Sequence, residues 1–333
     1  MRQNVTMTYI PQSRASVWTR YWSRGAMHSC ATSYGQSYCG SIAEFWLAGF
    51  ERLVFGSRVL DIGTGNGPLP RLLVGLESRP DICCDAIDLA EIAPPWLVQL
   101  PASTRSRLRF HGACAAERMP FADASFDHVV SQWGLEYSQL ALSVPELLRV
   151  LAPGGSIQLL LHHKDARPVA LASEEAQHTV WLLQENSFLD IARAMLVPMA
   201  LAGTPNGSAQ LMGDIGANQL REIFNAQQDA LQARIQQGRC TDVLSEIRQA
   251  VGTLFAMAAR QGVEPASAAF EHLRTELQDA LFRQQDLCNH ALDEPAAMAI
   301  GDRLALGAPY KLDVLRDQDV VMAWALTVTP CRS

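Results

Sequence analysis

At 333 residues the chain has room for one large domain, or for a core domain carrying a sizeable insertion. Hydrophobic residues make up 48% and charged residues 18%, which excludes the low-hydrophobicity, high-charge signature of disorder. A formal net charge of -7 argues against a general binder of phosphate backbones, which carries a basic face, so no nucleic-acid partner is expected. No apolar run approaches the roughly 18 to 20 residues of a membrane span, and the opening stretch lacks the apolar core of a secretory signal. A soluble cytoplasmic protein with no membrane partner is expected. The eight cysteines form no CxxC pair and no cluster with histidine at zinc spacing, so reduced thiols and no metal are expected.

In chain order, residues 1 to about 56 hold four of the six tyrosines and three of the seven tryptophans. Such a segment is read either as a cap over a ligand or as an apolar seam against a sheet or a second subunit. The cap reading is preferred. It makes Trp18, Tyr21, Trp22 and Tyr34 candidate substrate-binding residues, and the seam reading would suit a homodimer. Residues 57 to about 167 then alternate short apolar runs with helical patterns. Strands are predicted at 58–62, 82–88, 108–112, 126–132 and 156–162, with a helix beginning near Pro68. That alternation implies βαβ units, hence a Rossmann-like, doubly wound and mostly parallel sheet.

From about 168 to 300 the chain is rich in Ala, Gln and Leu, with apolar residues at helical spacing. Leu220, Ile223, Phe224, Leu231 and Ile235 fit one face, and Leu244, Ile247, Val251, Leu254 and Ala258 fit another. Residues 301–333 read as a closing pair of strands, 310–315 and 320–329. The helices are therefore expected to be an insertion ahead of the last strands, acting as a lid on the sheet's ligand-bearing edge.

The stretch VLDIGTGNG, residues 59–67, is an apolar strand ending in a carboxylate and three alternate glycines. A strand, a Gly-rich turn and a helix at the carboxyl end of a parallel sheet make a nucleotide-sized site. A dinucleotide fingerprint would put its third glycine where Pro68 stands, and a phosphate-binding P-loop would end in Gly-Lys-Ser/Thr, which is absent. Asp61, two residues before Gly63, repels phosphate and suits a cationic ligand. Asp88 lies 21 residues beyond Gly67, where a carboxylate accepts bonds from ribose hydroxyls.

Four blocks in order, VLDIGTGNG, the strand ending in Asp88, ERMPFADASFDHVVSQWGLEY (117–137) and RVLAPGGSIQLLL (149–161), resemble the class I S-adenosylmethionine-dependent methyltransferases of the small-molecule type. With the segments that link them, the blocks span roughly a third of the chain. The resemblance implies S-adenosyl-L-methionine as cofactor and assigns cofactor contacts to Asp61, Gly63, Thr64, Gly65, Asn66, Gly67, Asp88, Leu89, Ala116, Glu117, Gln132 and Trp133. One departure is visible. Ala115 stands where the family often has an Asp for the adenine amino group, which leaves adenine to the Ala116 and Glu117 backbone and apolar packing, or to Glu117 as a substitute.

The reaction the resemblance implies is in-line displacement at a sulfonium methyl, in which most of the rate comes from positioning and water exclusion. A base is needed only if the acceptor carries a proton. His162 or His163 after the fifth strand, His28 in AMHSC, and Glu136 in WGLEY are the candidates, and adjacent strand residues point opposite ways, so one of the two neighbouring histidines at most faces the site. The acceptor is expected to be a small, partly apolar molecule methylated on O or N. C-methylation with cyclisation, a non-catalytic cofactor-binding scaffold and a nicotinamide dehydrogenase are the rival readings, the last disfavoured by Pro68 and Asp61.

Overall fold

A computed structural model describes residues 13–27, 39–76, 78 and 81–329. The sheet is built from β1 (Arg58–Ile62), β2 (Cys83–Ile87), β3 (Leu108–His111), β4 (Phe126–Gln132), β5 (Leu151–Leu161), β6 (Tyr310–Asp317) and β7 (Val320–Val328), in the order β3-β2-β1-β4-β5-β7-β6. The first five run parallel, and β7 enters antiparallel to β5 and to β6. Because β1 pairs with both β2 and β4, successive strands are added outward from β1 in both directions, and the carboxyl ends of the strands at such a switch point are where ligands bind in sheets of this kind.

Alternate strand residues feed two apolar layers. On one face Leu60, Ile62, Val129 and Leu159 pack with Val144 and Leu147 of a helix spanning Leu140–Val150. On the other, Val59, Val130, Leu160 and Ala323 pack with Ile42, Trp46 and Phe50 of a helix spanning Gly40–Phe50, and with Leu69 and Leu73 of one spanning Pro68–Val74. In chain order the helices are α1 (Arg14–Ser23), α2 (Gly40–Phe50), α3 (Pro68–Val74), α4 (Ala102–Arg105), α5 (Leu140–Val150), α6 (Arg167–Leu183), α7 (Phe188–Ala202), α8 (Gly207–Gly213), α9 (Ile215–Gln237), α10 (Asp242–Gln261), α11 (Val263–His290) and α12 (Glu294–Ala305). The aromatic N-terminal zone thus divides. Trp46 and Phe50 of α2 are buried against the sheet, and a ring of that size contributes about 2–3 kcal/mol by burial. The rings of α1 stand at the loops.

The chain forms two compact units, residues 1–169 with 289–333, and residues 170–288. The second is all helical around its own core, in which Phe188, Leu189, Ala192 and Leu196 of α7 join Leu244, Ile247, Val251 and Leu254 of α10. Residues 289–300, which the composition groups with the inserted helices, belong to the sheet unit. The reason is packing: Ala297, Ile300 and Leu304 of α12 are buried with Leu159, Leu161 and Trp324. Among the described residues no helix is long and apolar enough to cross a membrane.

Candidate active site

The glycine loop and the loop after β4 meet back to back. Gly63 has φ +72°, and a Cβ there would lie 2.8 Å from the Gly134 Cα. Both glycines are therefore required by the close approach of the two loops. Ser131 stitches the same junction: it is fully buried, its hydroxyl donates to the Ile62 carbonyl at 2.7 Å, and its oxygen accepts the Leu135 amide at 3.0 Å. The Gly63 and Thr64 amides donate to the Ile87 carbonyl, tying the loop to β2.

Two carboxylates lie under this loop. Asp61 is 1% exposed, and its Oδ2 has no hydrogen-bond partner among the described residues. Burial pushes its carboxyl up to about 7, with the Thr64 hydroxyl beside it acting in the opposite sense and the charge of Asp88 adding to the rise. Asp88 accepts the Gly65 amide at Oδ2 and the Ala90 amide at Oδ1, each at 2.8 Å. Burial outweighs those bonds and pushes it up to about 6. A pair of carboxyl groups raised in this way holds a strong affinity for positive charge.

Asn66 turns the other way. Its side chain is fully buried and its Nδ2 donates to the carbonyls of Trp22 (2.9 Å) and Ala26 (2.7 Å), at the end of α1. Its own carbonyl accepts the Trp96 indole N–H at 2.7 Å. The Trp22 ring rests on Gly65, where a Cβ would come within 2.6 Å of it, and Trp18 stacks on Trp22 with centroids 5.4 Å apart. Tyr21 meets both rings edge-on. Trp22 is thus placed over the glycine loop, with Trp18 and Tyr21 packed on it. Tyr34 and His28 lie outside the described residues.

At the end of β4, Gln132 accepts the Trp46 indole N–H, and its Nε2 is buried without a partner among the described residues. Trp133 adopts φ +53°, a left-handed conformation that costs a non-glycine residue about 1 kcal/mol and that clusters at functional sites. Its ring stacks on His162 at 5.4 Å. Glu136 and His162 are both buried, and Glu136 Oε1 accepts the His162 amide at 2.9 Å and its Nδ1 at 2.8 Å. Because Nδ1 is the donor in that pair, the imidazole lone pair is at Nε2. His163 faces the opposite side: it stacks on Trp324 at 4.2 Å, its Nδ1 accepts the Asp165 amide at 3.0 Å, and burial lowers its basicity. The structure therefore joins Glu136 to His162 and leaves His163 in packing.

Leu89, just past Asp88, is 43% exposed. Ala116 packs against the core, and Glu117 Oε1 accepts the Gln139 amide at 2.7 Å, at the start of α5. The Glu117 carboxylate is engaged in bracing that helix. Sequence reasoning missed Ser131, Gly134, Tyr137 and Arg14. The first three stand inside the quoted block, but Ser131 and Gly134 act only where the two loops meet, so only the crossing of the loops reveals them.

Residues 59–155 match a family model described as a methyltransferase domain. The chain is 33% identical over 113 residues to an uncharacterized methyltransferase of Mycobacterium tuberculosis, covering 33% of this chain and 42% of that protein. It is 32% identical over 132 residues to a ubiquinone/menaquinone biosynthesis C-methyltransferase of Bordetella avium, covering 35% and 45%. A crystal structure of a SAM-dependent methyltransferase from Aquifex aeolicus is similar with a TM-score of 0.35 and 20% identity, over 45% of this chain and 75% of that one. The chain spans less than half the length of the curated relatives it matches.

The residues present fit the cofactor of that family. Asp61 Oδ2, Asn66 Oδ1, Gln132 Nε2 and Glu136 Oε2 are buried polar atoms without hydrogen bonds among the described residues, all on the loops that follow β1 and β4 or on the last residues of those strands. Acceptors dominate that set, as a ligand with an ammonium and a sulfonium requires, and the Gln132 amide supplies a donor for a carboxylate. The fold, the four ordered blocks and the family model converge on one assignment: residues 59–155 are a methyltransferase domain of the class I S-adenosylmethionine-dependent family.

Proposed function

We propose that the protein transfers a methyl group from S-adenosylmethionine to a small, partly apolar acceptor that carries an acidic O–H or N–H. The observation that carries this reading is the buried Glu136–His162 pair at the carboxyl edge of the sheet. S-adenosylmethionine, when bound, supplies an electrophilic methyl on a sulfonium. Asp61 would hold its positive end and Asp88 its ribose hydroxyls. Glu136 fixes the His162 tautomer, so that Nε2 takes the acceptor's proton, and it stabilises the imidazolium that forms. Trp133 stacks on the imidazole and Tyr137 stands perpendicular to it, which keeps water from it and suits a flat acceptor.

A second reading follows from the Bordetella relative, whose description is a C-methyltransferase. Removing a proton from a ring hydroxyl also raises the nucleophilicity of the neighbouring ring carbon, so the same base serves O- and C-transfer. The test is a screen with isotopically labelled S-adenosylmethionine over phenols, hydroquinones, amines and carboxylates. Product NMR reads whether the methyl sits on oxygen, nitrogen or carbon. Glu136→Gln is expected to lower kcat by about 10²-fold or more, given what a positioned general base contributes. Calorimetry showing no binding of S-adenosylmethionine or S-adenosylhomocysteine to the intact protein would sink the proposal.

A further inference from the structure

Helix α1 is anchored at both ends, and each end reaches a different half of the site. Its C-terminal end is held by Asn66, through the Trp22 and Ala26 carbonyls. Midway, the Thr19 hydroxyl accepts the Glu91 amide at 2.9 Å, beyond the end of β2. At its first residue, Arg14 donates through Nη1 to the Tyr137 carbonyl and through Nη2 to His290 Nε2 at 3.3 Å. The Arg14 guanidinium also lies 5.7 Å from the centre of the Tyr137 ring. Ten helical residues span about 15 Å. That length bridges the loops after β1, β2 and β4 in a single element.

The Arg14 end bears directly on the base. Tyr137 stacks on His290 at 5.0 Å and 26°, and meets His162 perpendicularly at 5.6 Å and 86°. His162 is therefore held by Trp133 stacked on its face and by Tyr137 set perpendicular to it, with Glu136 on Nδ1. Tyr137 is in turn fixed by Arg14 through its backbone and its ring. His290 lies two residues beyond the inserted unit, where the chain rejoins the sheet and Leu292 donates its amide to the His162 carbonyl at 2.8 Å.

We infer that Arg14 is a positioning residue for His162, and that α1 is a strut tying the cofactor loop at Asn66 to the base through Tyr137. The inference rests on the reading of His162 as the base. It gives the N-terminal helix a role distinct from lining the acceptor site: with the helix docked on the glycine loop, Arg14 reaches Tyr137 and sets the imidazole; with the helix released, Tyr137 loses both its carbonyl partner and its cation–π neighbour. Cofactor affinity and base alignment then separate, because Arg14 touches neither Asp61 nor Asp88.

The test compares Arg14→Ala, Arg14→Gln and Arg14→Lys in the full chain. Calorimetric Kd for S-adenosylmethionine is expected within about twofold of wild type, since truncation removes no cofactor contact. With an acceptor from the labelled screen, kcat is expected to fall tenfold or more for Ala and Gln, with the cofactor KM steady and partial recovery in Lys, which keeps the charge but loses the fork. An acceptor-independent arm uses the His162 imidazole C–H resonance, assigned by its loss in His162→Asn. It lies within the ring currents of Trp133 and Tyr137 and is expected to move in Ala and Gln and to return toward the wild-type position in Lys. A His162 resonance unmoved in folded Arg14→Gln, with S-adenosylmethionine still bound, overturns the strut, as does an unchanged kcat. Loss of cofactor binding in the wild-type protein would instead overturn the functional reading.

Discussion

Cofactor affinity should depend steeply on pH, because the site holds its carboxyl groups against their own charge. Asp61 is raised to about 7 and Asp88 to about 6, chiefly by burial. A cationic ligand binds the ionised forms, so protonation competes with it. For Asp61 alone, the ionised fraction falls from near unity at pH 8 to about 1% at pH 5, so the apparent Kd should rise about 100-fold over that range. Asp88 adds to the loss below pH 6. Binding must also expel protons, about 0.6 per site at pH 7 and about 1.4 at pH 6 if both groups end ionised. Titration calorimetry in phosphate and in Tris, whose ionisation enthalpies differ, reads that number directly.

The same shifts fix the sign for stability. Both folded pKa values lie above the unfolded ones, so the native chain retains protons that the unfolded chain loses, and ligand-free stability falls as pH rises from about 4 to 7. For Asp61 the cost reaches about 4 kcal/mol at pH 8, three units at 1.36 kcal/mol each. Asp61→Asn removes the charge at nearly constant volume. It should raise the ligand-free melting temperature at pH 8, leave it nearly unchanged at pH 4, and abolish the melting shift caused by S-adenosylmethionine. A Kd equal at pH 8 and pH 5, or an Asp61→Asn protein that melts lower at pH 8, would refute the account of Asp61 as a buried carboxylate awaiting a cation.

Three further outcomes are expected. Gly63→Ala sets a Cβ 2.8 Å from the Gly134 Cα at φ +72°, so it should cost 2 kcal/mol or more (roughly) in urea unfolding and weaken cofactor binding, whereas Ala at Gly154, which has φ +77° but open space around it, should cost only about 1 kcal/mol. Arg149 donates to the Phe121 and Met119 carbonyls, to Asp123 and twice to Glu146. Arg149→Lys cannot reproduce that fork, so it should lose about 1–3 kcal/mol by the same measurement. Trp96→Phe deletes the indole donor to the Asn66 carbonyl but keeps most of the ring volume; about 1 kcal/mol of stability should go, with cofactor Kd raised severalfold through the displaced glycine loop.

Much of the sheet unit was legible because its signals are local. A buried parallel strand is a short apolar run with a turn residue at its end, and β1, β4 and the β6–β7 pair announce themselves so in the sequence. The burial of Asp61 and Asp88 under the glycine loop was legible for the same reason: each carboxylate stands at the end of a buried strand. The pairing of Glu136 with His162 was not legible, since 26 residues separate them and only the alignment of β4 beside β5 brings them together.

Boundaries of the inserted unit were misplaced for a related cause. The apolar spacing of α12 is helical like that of its predecessors, and periodicity reports that a face is buried without saying against what. Asn66 teaches the converse. Its place in a glycine motif suggested a ligand contact, and its Nδ2 is in addition committed to two carbonyls of α1, while its Oδ1 has no partner among the described residues. A motif residue can thus also act structurally, by fixing the element that packs on its loop. On that view VLDIGTGNG is two devices in one stretch: Asp61 sets a buried carboxyl under the loop, and Gly63, Gly65 and Asn66 supply the close packing against Gly134 and Trp22.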